Sequence, residues 1–327
     1  MSCLALPPVI HSHFKIKLQP RNIRRISTAL ATSHSKTSNT TNLAIPSSLK
    51  NILSHKMTTT TKQPSAMKVT PRPWNNRGHA DHGWLYTFHT FSFASYFSHQ
   101  HNGIGPLRVI NEDRVERGTG FGTHAHREFL IWSYLVDGEL EHKDSLGNVE
   151  TLKRGDVQFT SAGTGIRHSE YNRNGTKDNH FLQIWAKPNV KGLTPEYVTR
   201  TFSDAQKKDA FVKIMESTAR HNGESKEDSA IPLHADLTMY ASILSPGKTV
   251  EQELVDAGAG RQVYLHLVMS GKKQPSEGGA KIKVGDVVIG EGDGALVENV
   301  SGKIAIESVG EKPAEFLLFD LGDEDSD

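Results

Sequence analysis

From Met67 onward the chain consists of short apolar or alternating runs cut by glycine-rich turns, a rhythm that points to a β-sandwich or barrel rather than an α/β fold. The runs are Leu107–Ile110, Phe129–Val136, Val157–Thr160 and Phe181–Ala186. Asp137-Gly138, Gly147-Asn148, Gly155-Asp156 and Asn174-Gly175 separate them. Residues 193–231 are more polar and predict loops with one short helix. Strand patterning returns at Met239–Leu244. Val263, Leu265, Leu267 and Met269 then alternate with Tyr264, His266 and Val268, as a half-buried strand would. The expected class is all-β.

A weak internal repeat suggests two copies of one unit. Leu135-Val136-Asp137-Gly138 is echoed by Leu267-Val268-Met269-Ser270-Gly271. Lys153-Arg154-Gly155-Asp156-Val157 is echoed by Lys283-Val284-Gly285-Asp286-Val287. This divides the 327 residues into a leader over 1–66, a first barrel over 67–200, a second over 201–320 and an acidic tail over 321–327.

The leader has its own composition. It contains no Asp or Glu, carries nine Lys and Arg, and is rich in Ser and Thr. Such a segment buries too little apolar surface to offset its ordering entropy. Its basic, acid-free character is that of a mitochondrial transit peptide, although Pro20 interrupts any helix. The other reading is an extension ahead of a start at Met57 or Met67, which leaves a cytoplasmic or nuclear protein. A net charge of +1 gives no electrostatic footprint for nucleic acid, and no apolar run approaches a membrane span. The single cysteine, Cys3, excludes a disulfide framework or a cysteine-based zinc site in the folded part.

Seventeen histidines are many for this length. Most are expected to be ordinary loop or surface residues, but two elements stand apart. The first is Gly118-x5-His124-x-His126, and the second is Gly165-x2-His168-x-Glu170-x-Asn172. Side chains at i and i+2 share a strand face. Each pair therefore points one way, and on neighbouring strands all four groups would meet. Three imidazoles and a carboxylate suit Fe(II), Mn(II), Ni(II), Cu(II) or Zn(II), and four protein donors leave positions open for water or substrate. His11-x-His13 and His99-x-His101 have no such partner pair and read as incidental. Gly163 and Gly165, just before His168, suggest a tight backbone approach. His79, His82 and His89 could line the site or its entrance, but they share no obvious face and read rather as a hydrogen-bonded loop packing around Trp84.

Gly118–Glu170 resembles the paired cupin motifs of the pirin family. The segments Ser161-Ala162-Gly163-Thr164-Gly165-Ile166-Arg167-His168-Ser169-Glu170-Tyr171-Asn172 and Arg77-Gly78-His79-Ala80-Asp81-His82-Gly83-Trp84 look most like its bacterial members, as does His89-Thr90-Phe91-Ser92-Phe93. The resemblance implies a bicupin, two jelly-roll barrels face to face. It also implies one divalent metal, Fe(II) first, held by His124, His126, His168 and Glu170 in the first barrel only. It implies a monomer, and the near-zero net charge and short apolar runs noted above add no direct nucleic-acid or membrane contact. Two functions follow from it. One is a quercetin 2,3-dioxygenase-type enzyme taking a flavonol-like molecule and O2, with Glu170 as the catalytic base. The other is an iron-dependent redox-sensing regulator that works through protein partners without turnover.

Two departures are visible. The family places an acidic residue four positions after the second histidine, where this chain has Leu130; Glu128 stands two positions earlier, on the same expected strand face. The surroundings of a metal tune its reactivity, so this bears on the chemistry rather than on the ligands. At the matching offsets of the second half stand Ala257, Ala259 and Glu298, not histidines.

Overall fold

The computed structural model describes residues 66–223, 229–255, 261–300 and 302–322; the leader and its targeting reading lie outside them. The strands in chain order are β1 (Lys68–Arg72), β2 (Gly78–Asp81), β3 (Leu85–His89), β4 (Leu107–Val115), β5 (Gly120–His126), β6 (Leu130–Asp137), β7 (Leu140–Asp144), β8 (Val149–Leu152), β9 (Asp156–Ser161), β10 (Ile166–Tyr171), β11 (Asn179–Ala186) and β12 (Glu196–Thr201). The short helix α1 (Asp204–Lys207) follows. Then come β13 (Val212–Ser217), β14 (Ile231–Leu233), β15 (Leu237–Leu244), β16 (Thr249–Glu253), β17 (Gln262–Leu267), β18 (Lys281–Val284), β19 (Val287–Gly290), β20 (Gly294–Glu298), β21 (Lys303–Ser308) and β22 (Ala314–Leu321).

Each half pairs a large sheet with a small one. In the first half the large sheet runs β12-β9-β6-β11-β4-β3-β2 and the small one β5-β10-β7-β8. In the second half the orders are β1-β20-β17-β22-β15-β13-β14 and β16-β21-β18-β19. The architecture is the expected all-β bicupin. Among the described residues, hydrogen bonding does not close either half into a continuous barrel; each is a sandwich of a seven-stranded and a four-stranded sheet. The first strand crosses over: Lys68–Arg72 of β1 pairs antiparallel with β20 of the second half.

The strand orders superpose, so the repeat is real, but only one of its two sequence echoes is in register. β6 and β17 occupy the same place, as Leu135 and Leu267 suggest. Gly155-Asp156 leads into β9, whose counterpart is β20, led into by Gly292-Asp293; Gly285-Asp286 instead turns the β18–β19 hairpin. The offsets counted from Gly285 therefore miss. The counterparts of β5 and β10 are β16 and β21, whose buried residues are Val250, Ile304 and Ile306 of an apolar cluster and Ser308 at the end of β21. Ala257 and Ala259 lie outside the described residues, and Glu298 ends β20.

The principal core lies between the two large sheets. Trp132, Tyr134, Leu182 and Ile184 of the first half pack with Met239, Ala241, Leu317 and Phe319 of the second. This explains the length of the apolar runs in β6, β11 and β22: a strand covered on both faces needs no polar alternation. It also corrects the expectation for β17. Val263 and Leu265 enter the second sandwich while Tyr264 and Val268 face the first half, so the strand is buried on both sides rather than one. Glu112 ties the halves together, accepting hydrogen bonds from Arg77 Nη1 (3.0 Å), His180 Nε2 (3.1 Å), His266 Nε2 (3.2 Å) and the Met269 amide (2.7 Å). The region 193–231 holds the expected helix, capped by Ser203 and Gln206, but also β12, β13 and β14. β12 escaped the pattern because, as an edge strand, it is nowhere fully buried.

Candidate metal centre

The first sandwich keeps its apolar clusters at its ends. One is Leu85, Val115, Leu135, Leu140, Leu152 and Phe181, and the other is Ile131, Ala162 and Ile166. Buried between them are polar side chains: Asn111, Asp113, Ser133, His142, His168, Glu170 and Gln183. Isolated polar groups are costly to bury, so a cluster of this size in one layer calls for a chemical reason.

β5 and β10 are antiparallel neighbours, with His168 opposite His124 and Ile166 opposite His126. The turn before β10 is set by Gly163, at φ 44°, where a Cβ would collide with the Leu193 carbonyl. That is the close approach the two glycines suggested. His124, His126 and His168 bring ligand atoms within 4.8 Å of one another, and His124 Nε2 lies 3.1 Å from His168 Nε2. His124 Nδ1 donates to the Gly122 carbonyl (2.8 Å), which leaves Nε2 of the neutral ring as the lone pair. Burial, with the neighbouring imidazoles of His168 and His124 adding to it, drives His126 down to about 3. His168 is driven to about 3 by burial and then by His124 and His142. These two rings therefore stay neutral at ordinary pH and keep their lone pairs. A divalent cation satisfies such converging lone pairs without protonating them, so these side chains fit a metal.

Glu170 sits one step deeper. A register shift between His168 and Glu170 places it opposite Phe121 and beside His142. It shares a possible ligand group with His142 and His168 rather than with all three imidazoles. Ser133 Oγ donates to its Oε1 (3.1 Å) and Gln183 Nε2 to its Oε2 (2.9 Å). Each oxygen keeps a further lone pair for a cation or a proton.

An aromatic wall stands beside His126. The ring of Trp185 lies 4.8 Å from it, with Phe129 at 5.3 Å and Phe93 at 5.6 Å from Trp185. The buried Trp185 indole N–H has no hydrogen-bond partner. His89 stands behind Phe93 at 5.3 Å and is bonded to Asn111 (2.8 Å). His79 contacts the Thr87 carbonyl (3.0 Å) and the rings of Tyr86 and Phe88. His79 and His89 thus lie on strands β2 and β3 rather than in a loop around Trp84. A separate cavity of about 390 Å³, lined by Trp84, Tyr86, Arg114 and Lys272, lies at the seam between the halves and includes none of the three converging imidazoles.

Glu128 is not on a strand face. It turns the chain between β5 and β6 at φ 56°, and its carboxylate accepts from the exposed Gly192 amide (3.2 Å). Leu130 points into the core between the halves. Neither can stand in for an acidic neighbour of the imidazoles. His142, Ser133, Gln183 and Trp185 were not singled out from sequence. Only His142 had a local signal, as His142-x-Asp144 repeats the i, i+2 spacing on a strand.

The model of the Pirin family matches residues 71–186, and that of the quercetinase C-terminal cupin domain matches residues 222–321. A quercetin 2,3-dioxygenase of Escherichia coli strain K12 is 38% identical over 250 residues, 76% of this chain and 97% of its own. A pirin-like protein of Caulobacter vibrioides is 36% identical over 60% of this chain and 81% of its own. Among solved structures, Escherichia coli YhhW superposes with a TM-score of 0.67 at 36% identity, covering 78% of this chain and 98% of its own. The nickel(II) complex of the bacterial pirin YhhW superposes equally well, with a TM-score of 0.67, over 78% and 100%.

Proposed function

The chain belongs to the pirin family, and from that premise we propose that it is a metal-dependent dioxygenase of the quercetin 2,3-dioxygenase type, acting on a flavonol-like small molecule and O2. The observation that carries this reading is the meeting of three imidazoles, His124, His126 and His168, with Glu170 alongside. In this reading the four residues hold one divalent transition ion. Fe(II) comes first for chemistry with O2; Mn(II), Ni(II), Cu(II) and Zn(II) suit the same donors. The nickel complex of the YhhW relative supports a transition ion on such a scaffold.

A bound ion of this kind supplies Lewis acidity toward a flavonol hydroxyl and its neighbouring carbonyl. The rest falls to the chain. Glu170, its oxygens oriented by Ser133 and Gln183, takes the proton of the flavonol 3-hydroxyl. Trp185, Phe129 and Phe93 give a planar substrate an apolar face and keep water from His126. The Trp185 N–H, buried and without a partner among the described residues, is the donor a substrate oxygen entering the site would take up. The second half covers the back of the large sheet and keeps β6 and β11, which carry Ser133, Gln183 and Trp185, rigid. The test is quercetin and O2 consumption, with carbon monoxide release, by the metal-loaded protein. Turnover that His124→Ala abolishes is expected. Full metal loading without flavonol or O2 consumption would overturn the reading.

A further inference from the structure

His142 has no part in the proposed chemistry, yet it is the most enclosed imidazole of the first sandwich. It is fully buried on β7, with its ring stacked on Tyr197 at 4.6 Å and 25°. Its Nε2 lies 3.1 Å from Asp144 Oδ2. Asp144 also accepts from the Leu146 amide (2.9 Å), the Asn148 amide (3.0 Å) and Asn148 Nδ2 (2.8 Å), so it is surrounded by donors. A carboxylate only accepts, so Nε2 carries the hydrogen, and in the neutral ring form Nδ1 carries the lone pair. That Nδ1 is buried without a hydrogen-bond partner among the described residues. Orphaned buried acceptors of this kind are rare in folded proteins. A carboxylate that fixes one ring nitrogen so the other can bind is the usual support of a metal-ligating histidine.

His142, His168 and Glu170 bring ligand atoms within 4.8 Å of one another, and all three are buried. We infer that the cation has a second, inner position on His142, His168 and Glu170, next to the outer one that His124, His126 and His168 form with Glu170 alongside. This rests on the metal-dependent reading above. A neutral imidazole has one lone pair, so His168 serves one ion at a time and the two positions are alternatives. The inner position, walled by Tyr197 and closed to solvent, is a resting place for an ion withdrawn from substrate.

Cobalt(II) binding by equilibrium dialysis tests this without any activity. The variant lacking the outer imidazoles, His124→Gln with His126→Gln, is expected to retain close to one cobalt per chain. Adding His142→Gln should weaken that residual binding by at least the roughly tenfold to hundredfold cost of losing a mere supporting residue. His142→Gln alone should still bind one cobalt at the outer position. A folded double variant that binds no cobalt, or one whose binding is indifferent to His142→Gln, overturns the inference. Should the double variant fail to fold, anomalous scattering from cobalt in crystals of His126→Gln decides. Density beside His142 supports the inner position, and density at His124 alone refutes it. A wild-type protein that takes no cobalt sinks the metal-dependent reading as well, which separates the two failures.

Discussion

His124 Nε2 and His168 Nε2 lie 3.1 Å apart although 44 positions separate them in the chain, and the pairing of β5 with β10 makes the contact. Two lone pairs at that distance repel unless a proton or a cation lies between them. The metal-dependent reading places a cation there. Everything proposed about the site follows from that contact and from the carboxylate beside it.

Glu170→Gln should separate the carboxylate's role from its packing. The substitution is isosteric, but a Gln amide nitrogen would face either Ser133 Oγ or Gln183 Nε2, and both of these donate to Glu170 now. Flavonol turnover should fall by about 10²- to 10⁴-fold, the range for loss of a proton-transfer group. The melting temperature should drop only slightly. A variant as active as wild type would remove Glu170 from the chemistry.

Trp185→Ala should weaken flavonol binding by roughly tenfold, from an aromatic contact of about 1 kcal/mol and the loss of an indole donor. Trp185→Phe, which keeps the ring and loses only the N–H, should fall between the two. Titration calorimetry on metal-loaded protein reads the difference. Equal affinity in all three proteins would place the substrate elsewhere.

Asp113 supplies a pH signature. Burial first, then the negative charges of Glu170 and Glu112, push its carboxyl up to about 7. The folded state therefore binds this proton more tightly than the unfolded chain, whose ordinary value is 3.8. The stability it contributes is complete below the unfolded value and is lost as pH rises through about 7. Its Oδ1 has no hydrogen-bond partner to offset the charge. Asp113→Asn should accordingly be more stable than wild type at pH 8, by roughly 1–3 kcal/mol, with the gain vanishing near pH 4. Urea midpoints across that range check it, and a gain independent of pH would contradict the assignment.

Glu112→Ala tests the joint between the halves. Its carboxyl is held well below the usual range despite burial, first by hydrogen bonds from His180 and His266 and then by the charges of His266 and Arg77. Removing it strands Arg77 and frees the Met269 amide in the interior. A loss of about 3–5 kcal/mol is expected, the cost of breaking a buried ion pair from one side. A change below roughly 1 kcal/mol in chemical denaturation would mean that the apolar core alone holds the halves together.

What could be read in the sequence was what repeats locally. His124-x-His126 and His168-x-Glu170 are legible because a strand's two-residue period puts neighbouring side chains on one face, and Gly163 marks the turn into the second. Leu130–Asp137 and Asn179–Ala186 are legible as apolar runs. What escaped depends on partners far along the chain. Ser133 and Gln183 look like ordinary polar residues inside apolar strands until Glu170 lies against them. Tyr264 and His266 face outward in any one-sandwich reading, and only the second sandwich covers them. The Gly285-Asp286 echo misled because a Gly-Asp turn is common to many hairpins, and the true counterpart, Gly292-Asp293, has lost the flanking Lys-Arg. Glu128 could not be placed because its positive φ takes it off the strand.

Metal analysis of the purified wild-type chain beside His168→Ala is the most direct test, because His168 belongs to every grouping of donors in the site. After anaerobic loading with Fe(II) and exhaustive dialysis, the wild type should hold close to one ion per chain, and the variant, still folded by circular dichroism, should hold almost none. A wild-type protein that emerges empty from loading with each first-row ion, or a variant that retains as much as wild type, would contradict the account.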